Sequence, residues 1–390
     1  MSWEKVKLGD ICESISDGDH LPPPKSVNGI PFVTISNVNS SNQFDFKNTM
    51  FVPQEYYEKL DEKRKPRIND ILYSVVGSFG IPVFIKENRP FVFQRHIAIL
   101  RPNESRIHPR YLYYKMLSKD FYMKADAVAI GAAQRTISLT SLRNMEISIP
   151  CKDSQKRIAD ILSAYDNLIE NNQKQIKLLE EAAQRLYKQW FIDLRYPGHE
   201  TTPVVDGLPE GWRREKLVDL ASVQFGYAFD GSLFNSNGNG TPIVRIRNIP
   251  DGFTNDYTTE NAPEEYIINN GDIVVGMDGE FHINSWSGDK SYLVQRSCCF
   301  RPHNPKINGW LLWAIHDPIK FFEKTVVGAT VAHLGKKHID TIELLIGPEK
   351  LYEPFQNLFC KRQTLLNQNR KLAESRDRLL PKLMNGEIEA

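Results

Sequence analysis

The stretch DSQKRIADILSAYDNLIENNQKQIKLLEEAAQRLYKQWFIDL, from Asp153 to Leu194, decides how the rest of the chain is read. Ile158, Ile161, Leu162, Tyr165, Leu168, Ile169, Ile176, Leu179, Leu186 and Trp190 recur in steps of three and four, and no Pro or Gly interrupts them. Such spacing predicts one long helix whose apolar stripe forms a coiled-coil seam. At about 1.5 Å per residue the rod is on the order of 60 Å long, and it needs a partner for its stripe. The chain supplies one near its C-terminus, YEPFQNLFCKRQTLLNQNRKLAESRDRLLPKLM (Tyr352 to Met384), with Phe355, Leu358, Phe359, Leu365, Leu366, Leu372, Leu379, Leu380 and Leu383 on its stripe. Asn172 and Asn369 fall at comparable stripe positions, and a lone polar residue in a seam fixes register at some cost in stability. Pro381 is expected to kink or end the second helix, leaving NGEIEA as a loose tail.

Working outward, the chain repeats itself once, with a period of about 200 residues. WEKVKLGDI (Trp3 to Ile11) answers WRREKLVDL (Trp212 to Leu220), and PFVTISNV (Pro31 to Val38) answers PIVRIRNI (Pro242 to Ile249). INDILYSVVGSFG (Ile68 to Gly80) is matched by NGDIVVGMDGEF (Asn270 to Phe281), and FQRHIAILRP (Phe93 to Pro102) by VQRSCCFRP (Val294 to Pro302). The helical pieces PRYLYYKML and GWLLWAI follow, then GAAQRTISLTSLRNMEISIP (Gly131 to Pro150) and GATVAHLGKKHIDTIELLIGP (Gly328 to Pro348), where Gly131 and Gly328 suit tight turns. Each copy closes with its long helix.

The implied organisation is a globular domain at 1–150, a long helix at 151–195, a linker at 196–207, a second globular domain at 208–348 and a second long helix at 349–390. The linker region, RYPGHETTPVVDGLPEG (Arg195 to Gly211), is rich in Pro, Gly and Thr and reads as an extended crossing. Strands and helices do not alternate regularly, so the fold class is α+β, with mixed or antiparallel sheets in two duplicated domains. Antiparallel pairing of the helices would place the domains at opposite ends, with a pseudo-two-fold axis inside one chain. Such a body suits two DNA half-sites, which face the same way about 34–36 Å apart.

Composition excludes little but narrows the rest. The chain has 390 residues, 41% hydrophobic and 25% charged, as in a folded globular protein. No apolar run approaches the roughly 20 residues that span a bilayer, and MSWEKVKLGDI lacks the features of a signal peptide. The expected location is therefore the cytoplasm. Cys12, Cys151, Cys298, Cys299 and Cys360 form no CxxC pair, so neither a zinc site nor a disulfide framework is indicated. The net charge of +1 opposes nucleic-acid binding only weakly, because a near-neutral protein can carry a local basic face.

The ordered set of motifs resembles the specificity subunit of type I restriction-modification enzymes. The residues that carry the likeness are the paired openings, the strands that begin at Asp70 and Asp272, the two Gln-Arg segments, GAAQRTIS and GATVAHLG, LYKQWF at the end of the first helix and ESRDRLLPKLMNGEI at the end of the second. The resemblance spans essentially the whole chain. It implies two target recognition domains, each reading one half of a split sequence in double-stranded DNA. It further implies helices that set the spacer and dock two DNA methyltransferase subunits, with restriction subunits joining the assembly. S-adenosylmethionine, ATP and Mg would belong to those partners, and this chain would be non-catalytic with no cofactor of its own. The alternative is a coiled-coil adaptor that binds no DNA.

Motifs for chemistry of its own are missing. GATVAHLGKK has six residues between its glycines where a phosphate loop needs four, and no Ser or Thr follows the lysines. GNG (Gly238 to Gly240) lacks the third glycine of a dinucleotide site, His333 and His338 lie outside any HExxH, and Asp278 with Glu280 has no suitably placed lysine. Arg and Lys read guanine best and Asn and Gln adenine. DNA-contact candidates are therefore Gln134 and Arg135, with Arg64, Lys65 and Arg67 on phosphates, in the first half, and Arg245, Arg247, His333, Lys336 and Lys337 in the second. Gln94-Arg95 and Gln295-Arg296 occur in both halves and so fit scaffold or backbone contacts. Tyr187, Trp190 and Phe191, with Leu380 and Leu383, are the expected partner-docking residues; no metal or catalytic residue is expected.

Overall fold

A computed structural model describes residues 3–20, 22–39, 41–131, 134–325 and 332–390. The chain forms two compact units: Met1–Asn167 with Glu374–Ala390, and Leu168–Ala373. The internal repeat is structural. In the first unit four strands, β1 (Cys12–Asp17), β2 (Ile71–Ser74), β3 (Pro82–Phe84) and β4 (Ile97–Pro102), form an antiparallel sheet in the order β1-β4-β2-β3. In the second, β5 (Ala221–Phe225), β6 (Ile273–Gly276), β7 (Ile283–Ser285) and β8 (Ser297–Pro302) repeat it as β5-β8-β6-β7.

The other repeated segments also pair alike. The opening strand Glu4–Lys7 pairs antiparallel with Glu146–Ile149, as Arg213–Lys216 does with Glu343–Ile346. Ile30–Val33 lies antiparallel to Met50–Val52 and parallel to Val92–Phe93; Thr241–Val244 has the same two kinds of neighbour in Tyr257–Thr258 and Ser291–Leu293. Asn37 and Asn248 accept from the backbone N–H of Thr34 and Arg245 at 2.9 Å, so the repeated asparagine fixes a turn after that strand.

The central strands are buried along their whole length, as continuous apolar runs such as Ile71–Ser74 and Ile273–Gly276 require. Each sheet carries one deliberate ion pair. Arg101 grips Asp70 with Nε–Oδ1 at 3.0 Å and Nη2–Oδ2 at 2.9 Å, and Arg301 holds Asp272 with Nε and Nη2 at 2.9 and 2.8 Å. Their spare N–H groups donate to the carbonyls of Lys65 and Ile267. The Asp before each β2-type strand and the Arg of each Arg-Pro are therefore one motif, a clamp between neighbouring segments. Burial lifts the Asp70 carboxyl above its usual range even with Arg101 beside it.

The first long helix spans Lys152–Tyr187 and ends in a π-helical turn, Lys188–Ile192. In the first unit its N-terminal part pairs with the C-terminal segment: Asp166 accepts from Arg376 at 2.7 Å, and the carbonyl of Ala390 accepts from Arg157 at 2.6 Å. In the second unit the later part pairs with the other long helix, Glu353–Met384, as Asn172–Gln368 (3.5 Å), Glu180–Arg362 (2.7 Å) and Trp190–Phe355 (ring centroids 5.9 Å). Partner numbers fall as the helix numbers rise, so the pairing within each unit is antiparallel. Asn369 donates to the carbonyl of Ile169 at 3.4 Å, which puts both seam asparagines at the same crossing.

Pro381 does not end the second helix, which runs on to Met384. Leu383 and Met384 are packed in the first unit's core, and Lys115 donates to the Met384 carbonyl. That packing outweighs the N–H a proline lacks. The tail is not loose either. Asn385 N–H donates to Pro381, Ile388 N–H donates to Lys382, and Gly386 (φ +78°) lies against the Trp3 ring, where a Cβ would stand 3.0 Å from Nε1.

Candidate nucleic-acid interface

Three short segments meet at one end of the two central strands of each four-stranded sheet, joined by backbone hydrogen bonds. They are the turn entering β4 or β8, the glycine turn after β2 or β6, and a strap just upstream of the final strand. In the first unit Val75 N–H donates to His96, Gly77 N–H to Arg135 and Ile137 N–H to Val75. In the second, Met277 N–H donates to Arg296, Gly279 N–H to Ala332 and Leu334 N–H to Met277. The glycines at the turns have the same left-handed backbone, Gly77 at φ +71° and Gly279 at φ +69°. Gly18 and Gly226 pin the other side. A Cβ at Gly18 would fall 2.2 Å from the Phe93 carbonyl, and one at Gly226 would fall 2.1 Å from that of Val294.

This pairing corrects the alignment of the two Gln-Arg dipeptides. Gln94 N–H donates to Val33 and Val294 N–H to Val244; Arg95 N–H donates to Asp19 and Gln295 N–H to Tyr227. Arg95 thus matches Gln295, and His96 matches Arg296. The dipeptides are one position out of step, so the turns present different side chains in the two halves. Arg95, Gln295 and Arg296 are exposed. Scaffold is common to both halves here, and the displayed groups are not.

The displayed groups are held differently. In the first half Arg135 is gripped by Asp126 through Nη1 at 2.5 Å, donates to the carbonyl of Asp126, and lies over the Phe79 ring at 5.7 Å. Phe79 in turn stacks on Tyr122, with centroids 5.6 Å apart. Gln94 Nε2 meets His96 Nδ1 at 2.8 Å. In the second half one carboxylate serves two segments: Asp278 Oδ1 meets His333 Nδ1 at 2.5 Å, and its Oδ2 lies 3.4 Å from Arg296 Nε.

Of the sequence-derived candidates, Gln134, Arg135 and His333 fall where these three segments meet. Gln134 is exposed, as are Lys336 and Lys337 at the start of the short helix Lys336–Ile339. Arg64 lies beside the turn entering β4, near Asp17 (3.9 Å) and Asp19 (3.8 Å), whose carbonyl accepts from Arg95 N–H, whereas Lys65 and Arg67 both sit on Glu62 (2.7 and 2.9 Å). Arg245 and Arg247 share Asp256, at 2.6 and 2.9 Å, and Arg245 also covers the Phe234 ring at 5.2 Å. Burial alone would raise the Asp256 carboxyl, but the hydrogen bonds from Arg245, Arg247 and Asn248 outweigh it and hold the group below its usual range. Gly131 takes φ +105°, as a turn requires, whereas Gly328 lies outside the described residues.

The docking set needs correction. Phe191 is buried in the second unit's core among Tyr187, Trp212, Trp310, Tyr352 and Phe355, because the π-helical turn swings it inward. Leu383 is buried in the first unit's core. An amphipathic stripe cannot distinguish an aromatic for its own domain from one for a partner. Tyr187, Trp190 and Leu380 remain partly exposed, and Leu178 and Ile192 of the first helix are more open. Sequence reasoning assigned Arg296 to scaffold or backbone contact and weighed Asp278 only as half of a carboxylate pair, and it missed Gly18 and Gly226. The one available signal was a glycine at the end of the first strand of each sheet.

Among the described residues no group of three or more His, Cys, Asp or Glu side chains could hold a metal ion, and no helix is long and apolar enough to cross a membrane. Comparison with known proteins gives a consistent result. Residues 1–181 and 209–350 match the family described as the type I restriction modification DNA specificity domain. The type I restriction enzyme MjaIX specificity subunit of Methanocaldococcus jannaschii is 28% identical over 301 residues, covering 71% of this chain and 68% of that protein. The HindI specificity subunit of Haemophilus influenzae is 23% identical over 468 residues and covers 99% of both. Among solved structures, the type I restriction-modification S subunit from M. genitalium aligns with a TM-score of 0.57 at 17% identity, over 98% of this chain and 96% of that one. That likeness supports the fold.

Proposed function

The chain belongs to the type I restriction modification DNA specificity family, and from that premise we propose that each of its two units reads one half of a divided DNA target. One observation carries the proposal. The two units place different side chains on equivalent, backbone-locked positions, Arg95 against Gln295 and His96 against Arg296. Readers of unlike sequences built on one scaffold require that arrangement, because phosphate contacts can be shared whereas base contacts cannot.

In this reading the chain does no chemistry. It presents DNA to methyltransferase subunits, which hold S-adenosylmethionine, while restriction subunits supply ATP- and Mg-dependent steps. The antiparallel helices set the spacing between the half-sites, and Tyr187, Trp190 and Leu380 contribute to methyltransferase docking. Gln134 and Arg135 contact DNA from the strap, while Lys336 and Lys337 meet phosphates. The near-neutral net charge of +1 fits a subunit whose partners supply much of the phosphate attraction.

The test is co-expression with the cognate methyltransferase subunit and sequencing of methylated adenines. The expected result is a two-part sequence. Replacing residues 1–150 with another member's first domain should change one part only. A change in both parts, or in neither, would overturn the assignment.

A further inference from the structure

The second half contains a residue with no structural reason to be what it is. Arg296 adopts φ +70°, one of five described non-glycine residues in the left-handed region, which L side chains rarely enter. Glycine would sit there without strain. The side chain does not pack: it is 58% exposed. The backbone is locked, because Arg296 C=O accepts from Met277 N–H and the neighbouring Gln295 N–H donates to Tyr227. A strained, anchored and exposed arginine is a mark of function.

Its one partner among the described residues is informative. Asp278 Oδ2 lies 3.4 Å from Nε, the inner nitrogen of the guanidinium, and the other carboxylate oxygen is fixed by His333 at 2.5 Å. An arginine paired at Nε leaves its two coplanar terminal amino groups available, and among the described residues nothing occupies them. In the major groove only guanine presents two adjacent acceptors, O6 and N7, to such a fork. The first half has no counterpart: Val76 stands where Asp278 does, and Thr136 where His333 does, as the paired bridges Val76–Thr136 and Asp278–His333 show. The strap arginine of the first half, Arg135, is engaged by Asp126 through both Nη1 and Nη2 and presents no such fork.

We propose that Arg296 is the guanine-reading residue of the second half, with Asp278 as the residue that positions its fork. The inference rests on the specificity role above and adds the base class and the side chain. Arg296→Gly is the decisive variant, because glycine accepts the φ of +70° without strain. The full chain is assembled with its methyltransferase subunit, and methylated sites are sequenced. Affinity is then measured for duplexes carrying guanine or 7-deazaguanine, which lacks the N7 acceptor, at each second-half position.

The wild-type complex should lose about 5- to 150-fold in preference at one guanine when that base is replaced. Arg296→Gly should abolish that preference and become indifferent to 7-deazaguanine there, with the first half unchanged. Arg296→Lys, which keeps the charge without the rigid fork, should retain only part of that preference. Asp278→Asn should weaken the preference at the same base without altering the salt dependence of binding, which a purely structural lesion would disturb. A second half lacking guanine, or an Arg296→Gly complex with unaltered base preference, overturns the assignment. Failure of the wild-type complex to prefer any sequence would instead overturn the specificity role.

Discussion

Replacing Arg101 by leucine removes the guanidinium that grips Asp70 and leaves that carboxylate in the first unit's interior. The Asp70 side chain is 2% exposed and that of Arg101 12%, so water can do little to rescue the charge left behind. The Arg67 backbone N–H still donates to Asp70 at 2.8 Å, but the two guanidinium bonds are lost. Removing one partner of a buried pair costs about 3–5 kcal/mol. For a unit of this size, each kcal/mol lowers the melting temperature by about 2–4 °C, giving a fall of about 6–20 °C. Scanning calorimetry of the full chain reads the shift, and amide exchange in Ile71–Ser74 assigns the transition to the first unit. Two comparisons sharpen the test. The double variant Asp70→Leu with Arg101→Leu should recover most of the loss, since an apolar pair costs no desolvation. Arg301→Leu should cost less, ~1–3 kcal/mol, because that pair is more open at 32% and 15%. A shift below ~1 °C for Arg101→Leu, or a double variant no better than the single, would refute the clamp.

Other outcomes follow from the same contacts. Phe191→Ala should destabilise the second unit by ~3–5 kcal/mol, as a large side chain leaving a filled core does; denaturant titration checks it, and an unchanged midpoint would return Phe191 to the surface. Asn172→Leu should raise the second unit's melting temperature while loosening helix register, because the seam loses its polar pin; calorimetry and cross-linking of cysteines placed along the two helices report both. Asp256 contributes stability that is present above the unfolded carboxylate pKa of about 3.9 and is lost as pH falls through its lower folded value. Asp256→Asn should therefore lower the second unit's stability at pH 7 and flatten the acid limb of its profile, so that variant and wild type converge as pH falls below about 4. Arg135→Ala should change folding by only ~0–1 kcal/mol, since its pair with Asp126 is 42% and 36% exposed. It should nonetheless weaken DNA binding by the assembled complex in a mobility shift.

The legible parts of the sequence were those governed by period and order. The long helix from Lys152 and the duplicated sheets follow from apolar spacing and from motifs recurring in the same sequence. Asn172 and Asn369 were legible because a polar residue on an apolar stripe has few explanations. A helix end at Pro381 was the wrong branch of the kink-or-end expectation, because local chemistry does not show that Leu383 and Met384 have a core waiting for them. The Gln-Arg pairs were misaligned because identical letters one register apart look like conservation of role, whereas backbone partners set the true correspondence. Phe191 and Arg296 were illegible for one shared reason. Their significance lies in backbone conformation, a π-helical turn and a left-handed φ, which the side-chain pattern does not encode.

The first unit is discontinuous: its last strip is Glu374–Ala390, the end of the sequence. Leu383, Met384 and the Ala390 carbonyl are built into a body whose other parts are made first. On the ribosome this body would wait, nearly whole, for its closing piece to be translated, while the later-made unit already has all its residues. A stop codon shortly before Glu374 would therefore damage the domain synthesised earliest while sparing the one made after it.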